Sequence, residues 1–356
     1  MVDKGEVLMK TLRGFLAFLG VLFLLLGCKK STEPVIPGWE VLHVWSNVIL
    51  FKVDFVDSDY GWVIGSDYQI NQYIFHTTDG GNTWVQQSAP PPPGNFPLPF
   101  NDIYFIDREN GWGVGQLGAI YKTTDGGENW ILAETLGFGS FHTIFFTDLR
   151  HGWADGGANL GDWRTTDGGQ TWEKIPFWDS FIDSVNGWAG GGSGAIYRTY
   201  DGAVTWTKVY TEDGSGGTSL DFVDLYNGWG LKGGRMSEYD FWYWIIHTVD
   251  GGYTWELQLD TFKYSLLGHS GQIGPIEMLN ATTGWIAKSE SGKTTVLHTT
   301  NGGITWREQP LPDIVYGGIE DMDFINEKEG WAVTYSSASG LPDVILRTRN
   351  GGNPIR

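Results

Sequence analysis

The chain is poor in the residue types on which much protein chemistry depends. It has a single cysteine, Cys28, so the folded part can hold neither a disulfide nor a thiolate metal site. Basic residues are scarce, 23 Lys and Arg against 42 Asp and Glu for a net charge of −19. That balance argues against nucleic acid or an anionic membrane surface as partner. No phosphate loop, zinc motif or nucleophile elbow is present. The one long apolar run, residues 14–27, is too short to span a bilayer comfortably.

What is present repeats. Glycine–tryptophan pairs begin at Gly61, Gly111, Gly152, Gly187, Gly228, Gly284 and Gly330, each preceded four residues earlier by Asp or Asn (Asp57, Asp107, Asp148, Asp183, Asp224, Asn280, Asn326). A second motif follows each pair, complete as Thr-x-Asp-Gly-Gly-x-Thr-Trp at Thr77–Trp84 and Thr165–Trp172. Its acidic or amide position is Asp79, Asp125, Asp167, Asp201, Asp250, Asn301 and Asn350. Seven copies of one unit make a repeat architecture. Short runs such as Lys52–Phe55 and Trp62–Ile64 read as strands bounded by Asp, Asn and Gly turns. In the second motif the Asp side chain closes an Asx-type turn and the glycines supply positive φ. Asn301 and Asn350 keep the turn-forming oxygen without the charge. The position therefore needs an acceptor rather than an anion, which argues against calcium.

These motifs resemble the Asp-box, or BNR, repeat of sialidases and related β-propellers. Combined with Phe-x-Asp-x-x-x-Gly-Trp, as at Phe105–Trp112, they are closer to the photosystem II stability and assembly factor-like propellers. The resemblance implies an all-β fold, a seven-bladed β-propeller of four-stranded antiparallel blades, over residues 38–356. It implies function only weakly, since one fold hosts many activities.

The N-terminus has its own pattern. Lys10 and Arg13 precede the apolar run, and Leu25-Leu26-Gly27-Cys28 resembles the bacterial lipobox, in which the cysteine is acylated. We expect a signal peptide over 1–27, a tether over 28–37 and the propeller over 38–356. Met9 is a more natural start than Met1, and Lys29-Lys30 after the cysteine resembles outer-membrane retention. The expected location is the bacterial cell envelope, on the outer membrane.

The two ends of the chain also complement each other. Gly38-Trp39-Glu40 resembles the strand that follows each box, while the seventh box stops at Asn353 without its Thr-Trp strand. The N-terminal strand is therefore expected to close the last blade, leaving no open edge.

In a repeat protein, what recurs is scaffold and what departs is a candidate for function. The residue before each box Thr is His76, Lys122, Arg164, Arg198, His247, His298 or Arg347, so these count as scaffold. Thirteen of the 19 tryptophans belong to the motifs, and Trp39 makes a fourteenth. The departures are Trp45, Phe138, His142, Trp178, Tyr264, His269 and Tyr316 in segments between blades, and Trp242 and Trp244 beside an insertion over 231–240. In Asp-box propellers such segments line the ligand-binding face. Their alternative role is packing between blades. A sialidase-like site would need an arginine cluster, but residues 28–356 hold only nine arginines, three of them at the scaffold position. The assembly factors' basic patch has no obvious counterpart in so acidic a chain. We expect no catalytic residues, no metal and no cofactor. The expected partners are a membrane through a lipid on Cys28 and a protein, with a glycan as the alternative.

Overall fold

The structure, a computed structural model, describes residues 36–355 apart from 46, 68, 70, 92–99, 192–193, 212–217, 236–239, 266–271, 291–292, 316 and 336–341. Residues 37–354 form one compact unit. Cys28 and the apolar run lie outside the described residues.

Seven four-stranded antiparallel sheets follow one another along the chain, giving the seven-bladed propeller. Blades one to six occupy residues 48–87, 102–135, 143–175, 180–210, 218–265 and 272–310. In each of these the strands pair in sequence order. Blade seven takes residues 318–355, and its fourth, outermost strand is Ile36–Trp45. First strands of neighbouring blades contact each other, so they line the centre of the ring. The insertion in blade five lengthens its hairpin, with strands Gly228–Arg235 and Asp240–Thr248.

The glycine–tryptophan pair explains why blades adhere. All seven of these tryptophans are at most 1% exposed. Six lie flat on the phenylalanine of the next blade: Trp62 on Phe105, Trp112 on Phe146, Trp153 on Phe181, Trp188 on Phe222, Trp285 on Phe324 and Trp331 on Phe55. Ring centroids in these pairs are 3.5 to 3.8 Å apart. In blade five Trp229 meets Met278, which replaces the phenylalanine of blade six. Stacked aromatic pairs add about 0.5–1.5 kcal/mol each beyond area burial. The glycine is required because a Cβ at Gly111 would fall 2.6 Å from the Phe105 ring of its own blade.

Strand Ile36–Trp45 closes the ring as expected. Trp39 is 2% exposed and meets Phe324 edge-on at 5.7 Å and 86°. Trp84 meets Phe55 in the same way at 6.1 Å and 88°, and Trp172 meets Phe146 at 6.2 Å and 90°. Trp39 therefore occupies in blade seven the box-tryptophan position of the other blades.

Candidate functional site

The two repeated motifs build one face of the disc. Asp57 accepts the N–H groups of Asp59 and Tyr60, and each counterpart in the other blades does the same for residues two and three positions on. In the box, the Thr77 hydroxyl donates to Asp79 and accepts the N–H of Gly81, while Asp79 accepts from the Thr83 N–H and hydroxyl. Asn301 and Asn350 keep the contact with their box threonines through the amide oxygen. At Asp125, hydrogen bonds from the Asn129 side chain and backbone hold the carboxyl below its usual range. The turns are tied together seven times over. The N–H of Gly80, Gly126, Gly168, Gly202, Gly251, Gly302 and Gly351 donates to the neighbouring turn at 2.8–2.9 Å. This box face is scaffold.

The basic or histidine position before each box threonine belongs to the same scaffold. Lys122, Arg198 and Arg347 donate to the first box-glycine carbonyl of the next blade at 3.0, 3.2 and 2.8 Å. Arg164 makes the same contact with Gly202. His76, His247 and His298 stack on their own blade's tryptophan at 4.9, 4.4 and 4.9 Å. Burial lowers the pKa of all three, which favours neutral rings.

The centre of the ring is acidic. An innermost strand would leave N–H groups unpaired on its channel side, and carboxylates of the preceding blade supply acceptors. Asp54 accepts the N–H of Phe105, Asp323 that of Phe55, Glu277 that of Phe324 and Asp221 that of Met278. Asp321 and Asp102 do the same for Val53 and Ile144. Lys52 sits between the last two, 3.5 Å from Asp321 and 3.6 Å from Asp102. Burial disfavours its charge, but Asp102 and Asp321 outweigh that and raise its pKa. Burial pushes Asp221 up to about 6 and Asp323 up to about 7. It also raises Asp54 and Glu277 well above the carboxylate range, with the charge of Asp323 adding to the effect. This carboxylate belt fastens blade to blade.

The opposite face carries the links between blades and the turns from second to third strand, where the repeat breaks down. Leu136–Ser140, between blades two and three, carries the most exposed of these departures among the described residues. The N–H of Gly118 donates to Gly139, Leu136 to Gly118 and Phe141 to Gly115, at 2.8, 2.9 and 3.0 Å. Gly137 and Gly139 have φ of 129° and 153°, which a side chain would resist. Between them Phe138 is 92% exposed on a loop fixed at both sides. His142 is exposed nearby, with its Nε2 beside Gly157 of the short helix Gly157–Leu160.

The other expected contact residues divide. Trp45 is half-buried and stacks on Phe75 at 4.5 Å, so it packs on blade one. Trp178 is 9% exposed in the cluster of Trp153 and Phe181. Packing between blades thus accounts for most of the Trp178 indole and for one face of Trp45. Trp244 is half-buried. Trp242 and Tyr264 lie on strands of blade five, but their side chains lie outside the described residues, as do His269 and Tyr316 entirely.

Sequence reasoning missed a second acidic group. Asp155 and Asp162 face each other across a strand pair, and Asp179 lies near them. Burial raises Asp162 and Asp179 to about 7. Their oxygens accept the N–H groups of Gly157, Trp178 and Gly190, so they too hold loops in place. Among the described residues no three His, Cys, Asp or Glu side chains gather as metal ligands, and no helix is long and apolar enough to cross a membrane.

A family model described as photosynthesis system II assembly factor YCF48 matches residues 32–136, and one for the BNR/Asp-box repeat matches 163–174. The chain is an Asp-box propeller related to the photosystem II assembly factors. It is 31% identical over 153 residues to the photosystem II assembly lipoprotein Ycf48 of Synechococcus sp. (strain CC9902), covering 41% of this chain and 43% of that one. It is 31% identical over 107 residues to the chloroplastic stability/assembly factor HCF136 of Oryza sativa subsp. japonica, covering 29% and 24%. These matches span less than half the length of the relatives. Among solved structures, "YCF48 bound to D1 peptide" superposes with a TM-score of 0.60 at 20% identity, over 88% of this chain and 99% of that one. YCF48 from Cyanidioschyzon merolae gives 0.57 at 16%, over 87% and 98%. At these identities the structural likeness speaks for the propeller fold alone.

Proposed function

We propose that this propeller is a non-catalytic assembly or binding factor, held at a membrane by lipid on Cys28, that grips an extended protein segment with the loop face. The domain limits that go with this are a signal peptide over 1–27, a tether over 28–37 and the propeller from 38. The observation that carries the reading is Phe138, 92% exposed on a hydrogen-bonded glycine loop. A large apolar ring presented on a preordered support loses little entropy on binding, as a contact anchor requires. The names of the relatives favour it: the Synechococcus protein is called an assembly lipoprotein, and one solved relative is described with a D1 peptide bound. The lipobox-like Leu25–Cys28 supports the anchor, and Lys29-Lys30 favours outer-membrane placement in a two-membrane envelope.

The test is a photo-crosslinking residue at position 138 of the membrane-held chain, with Ile131 on an outer strand as control position. Protein adducts from 138 and not from 131, lost on His142→Ala or competed by a bound peptide, support the reading. Hydrolysis of a glycoside panel that disappears in Asp162→Asn, without any adduct at 138, would replace it with an enzyme.

A further inference from the structure

The box face is scaffold, yet in one sector its exposed positions depart from the repeat. The two variable box positions are Thr78 and Asn82 in blade one, Thr124 and Glu128 in blade two, and Thr166 and Gln170 in blade three. In blades four and five they become Tyr200 and Val204, then Val249 and Tyr253. The neighbouring turns, which carry Asp59, Glu109 and Arg150 in the first three blades, carry Val185 and Tyr226 here. These six side chains are 43–65% exposed. They form one continuous patch, since the Tyr200 and Tyr253 hydroxyls meet at 3.1 Å across the two blades. The Gly202 and Gly251 N–H groups tie Val185 and Tyr226 to the two boxes at 2.9 Å. The carboxylates within the patch, Asp201 and Asp250, are engaged by their own loop threonines.

A second observation says what covers it. A Cβ on Gly38 would strike the Asn353 carbonyl and Gly352, both in the seventh box. The chain therefore enters the propeller at the box face, not the loop face. From Cys28 to Ile36 is eight residues, at most about 28 Å when fully extended. A lipid on Cys28 would hold blade seven's box turn within that reach of a bilayer, with the Val and Tyr patch on the same face further round the ring.

We propose that the blade-four and blade-five patch docks on the lipid surface, so that the propeller lies with its box face on the membrane and its loop face outward. This rests on the lipid-anchor reading above. Valines with tyrosines suit the headgroup boundary, where an apolar body and a polar tip are both accommodated. The net charge of −19 selects neutral, zwitterionic lipid over anionic lipid. The patch supplies the second attachment that a lipid tether by itself does not, and it fixes orientation.

The test uses the full acylated chain on phosphatidylcholine vesicles doped with nitroxide-bearing lipid. A fluorophore is placed through Val249→Cys on the box face or Phe138→Cys on the loop face. Loss of emission at 249 with emission retained at 138 is the expected result. Retention at both sites, or equal loss at both, in a chain that floats with the vesicles overturns the docking while leaving the anchor intact. A chain without acyl mass that fails to float overturns the anchor itself, and the docking with it. Val204→Gln and Tyr226→Thr, which copy Gln170 and Thr282 of sister blades and so suit the fold, should restore emission at 249.

Discussion

Trp39→Ala tests the ring closure directly. Trp39 is 2% exposed, meets Phe324 edge-on at 5.7 Å and donates its indole N–H to Gln309 at 3.2 Å. The aromatic pair contributes about 1 kcal/mol, the hydrogen bond about 1, and burial of the remaining apolar surface about 2. The total of about 4 kcal/mol lies within the ~3–5 found for emptying a buried aromatic site. At about 2.1 cal/mol/K per residue over the compact unit of residues 37–354, that lowers Tm by about 6 °C. The assay is urea and thermal unfolding followed by circular dichroism, with Trp172→Ala as the internal standard because Trp172 holds the same position in blade three. Trp172 is only partly buried and its indole N–H has no partner, so its loss should be the smaller by about 1 kcal/mol, and a loss at Trp39 at least as large as at Trp172 supports the closure. A Tm shift below about 2 °C for Trp39→Ala, with Trp172→Ala showing the larger loss, would refute it.

Three further predictions follow from the scaffold. Arg347→Ala, which removes contacts to Gly80, Asn82 and Glu40 at the seam, should cost about 3 kcal/mol in urea unfolding. Arg347→Lys should recover part of it, since Lys122 makes the glycine contact in blade two. Gly168→Ala should destabilise by at least about 2 kcal/mol, because its φ is +77° and a Cβ would lie 2.6 Å from the Leu149 carbonyl. Finally, stability should rise as pH falls from 8 toward about 6.5, below which His76, His247 and His298, their pKa values lowered by burial, begin to oppose the carboxyls. The raised carboxyls Asp221, at about 6, and Asp323, at about 7, favour folding when protonated, and that contribution fades as pH climbs through these values. Below about pH 4 the trend reverses as the lowered box carboxyls such as Asp125 are protonated. Asp221→Asn should flatten the slope, by up to about 3 kcal/mol at pH 8, and scanning calorimetry across pH would reveal a slope of the wrong sign.

The fold was legible because each blade must solve the same two problems with the same residues. A turn needs an acceptor at Asp57 or Asp79 and a left-handed glycine at Gly80, and the interface needs Trp62 to cover Phe105. Periodic chemistry of this kind leaves a periodic sequence. The channel belt was not legible. Asp54, Asp221, Glu277 and Asp323 occupy strand positions where alternation predicts only polar residues, and their partners are backbone atoms of another blade. Position in a linker suggested partner contact for Trp45 and Trp178, and did not show that Trp45 also stacks on Phe75 or that Trp178 packs in the Trp153 cluster. The Tyr200 and Val249 patch was hidden for the opposite reason. It fills the variable slots of the motif, which a reading of the fixed positions passes over.

The closing strand also sets an order of events. Ile36–Trp45 is made long before its partner, Asp343–Ile355. Bringing them together closes a loop of roughly 300 residues, a slow step whose entropy is offset only once both ends find their seat. Until then a nascent chain holds six self-sufficient blades, a seventh with a bare edge and a loose strand carrying its own tryptophan. A second chain in the same condition could satisfy that edge equally well. Dilution thus favours the monomer over a strand-exchanged pair.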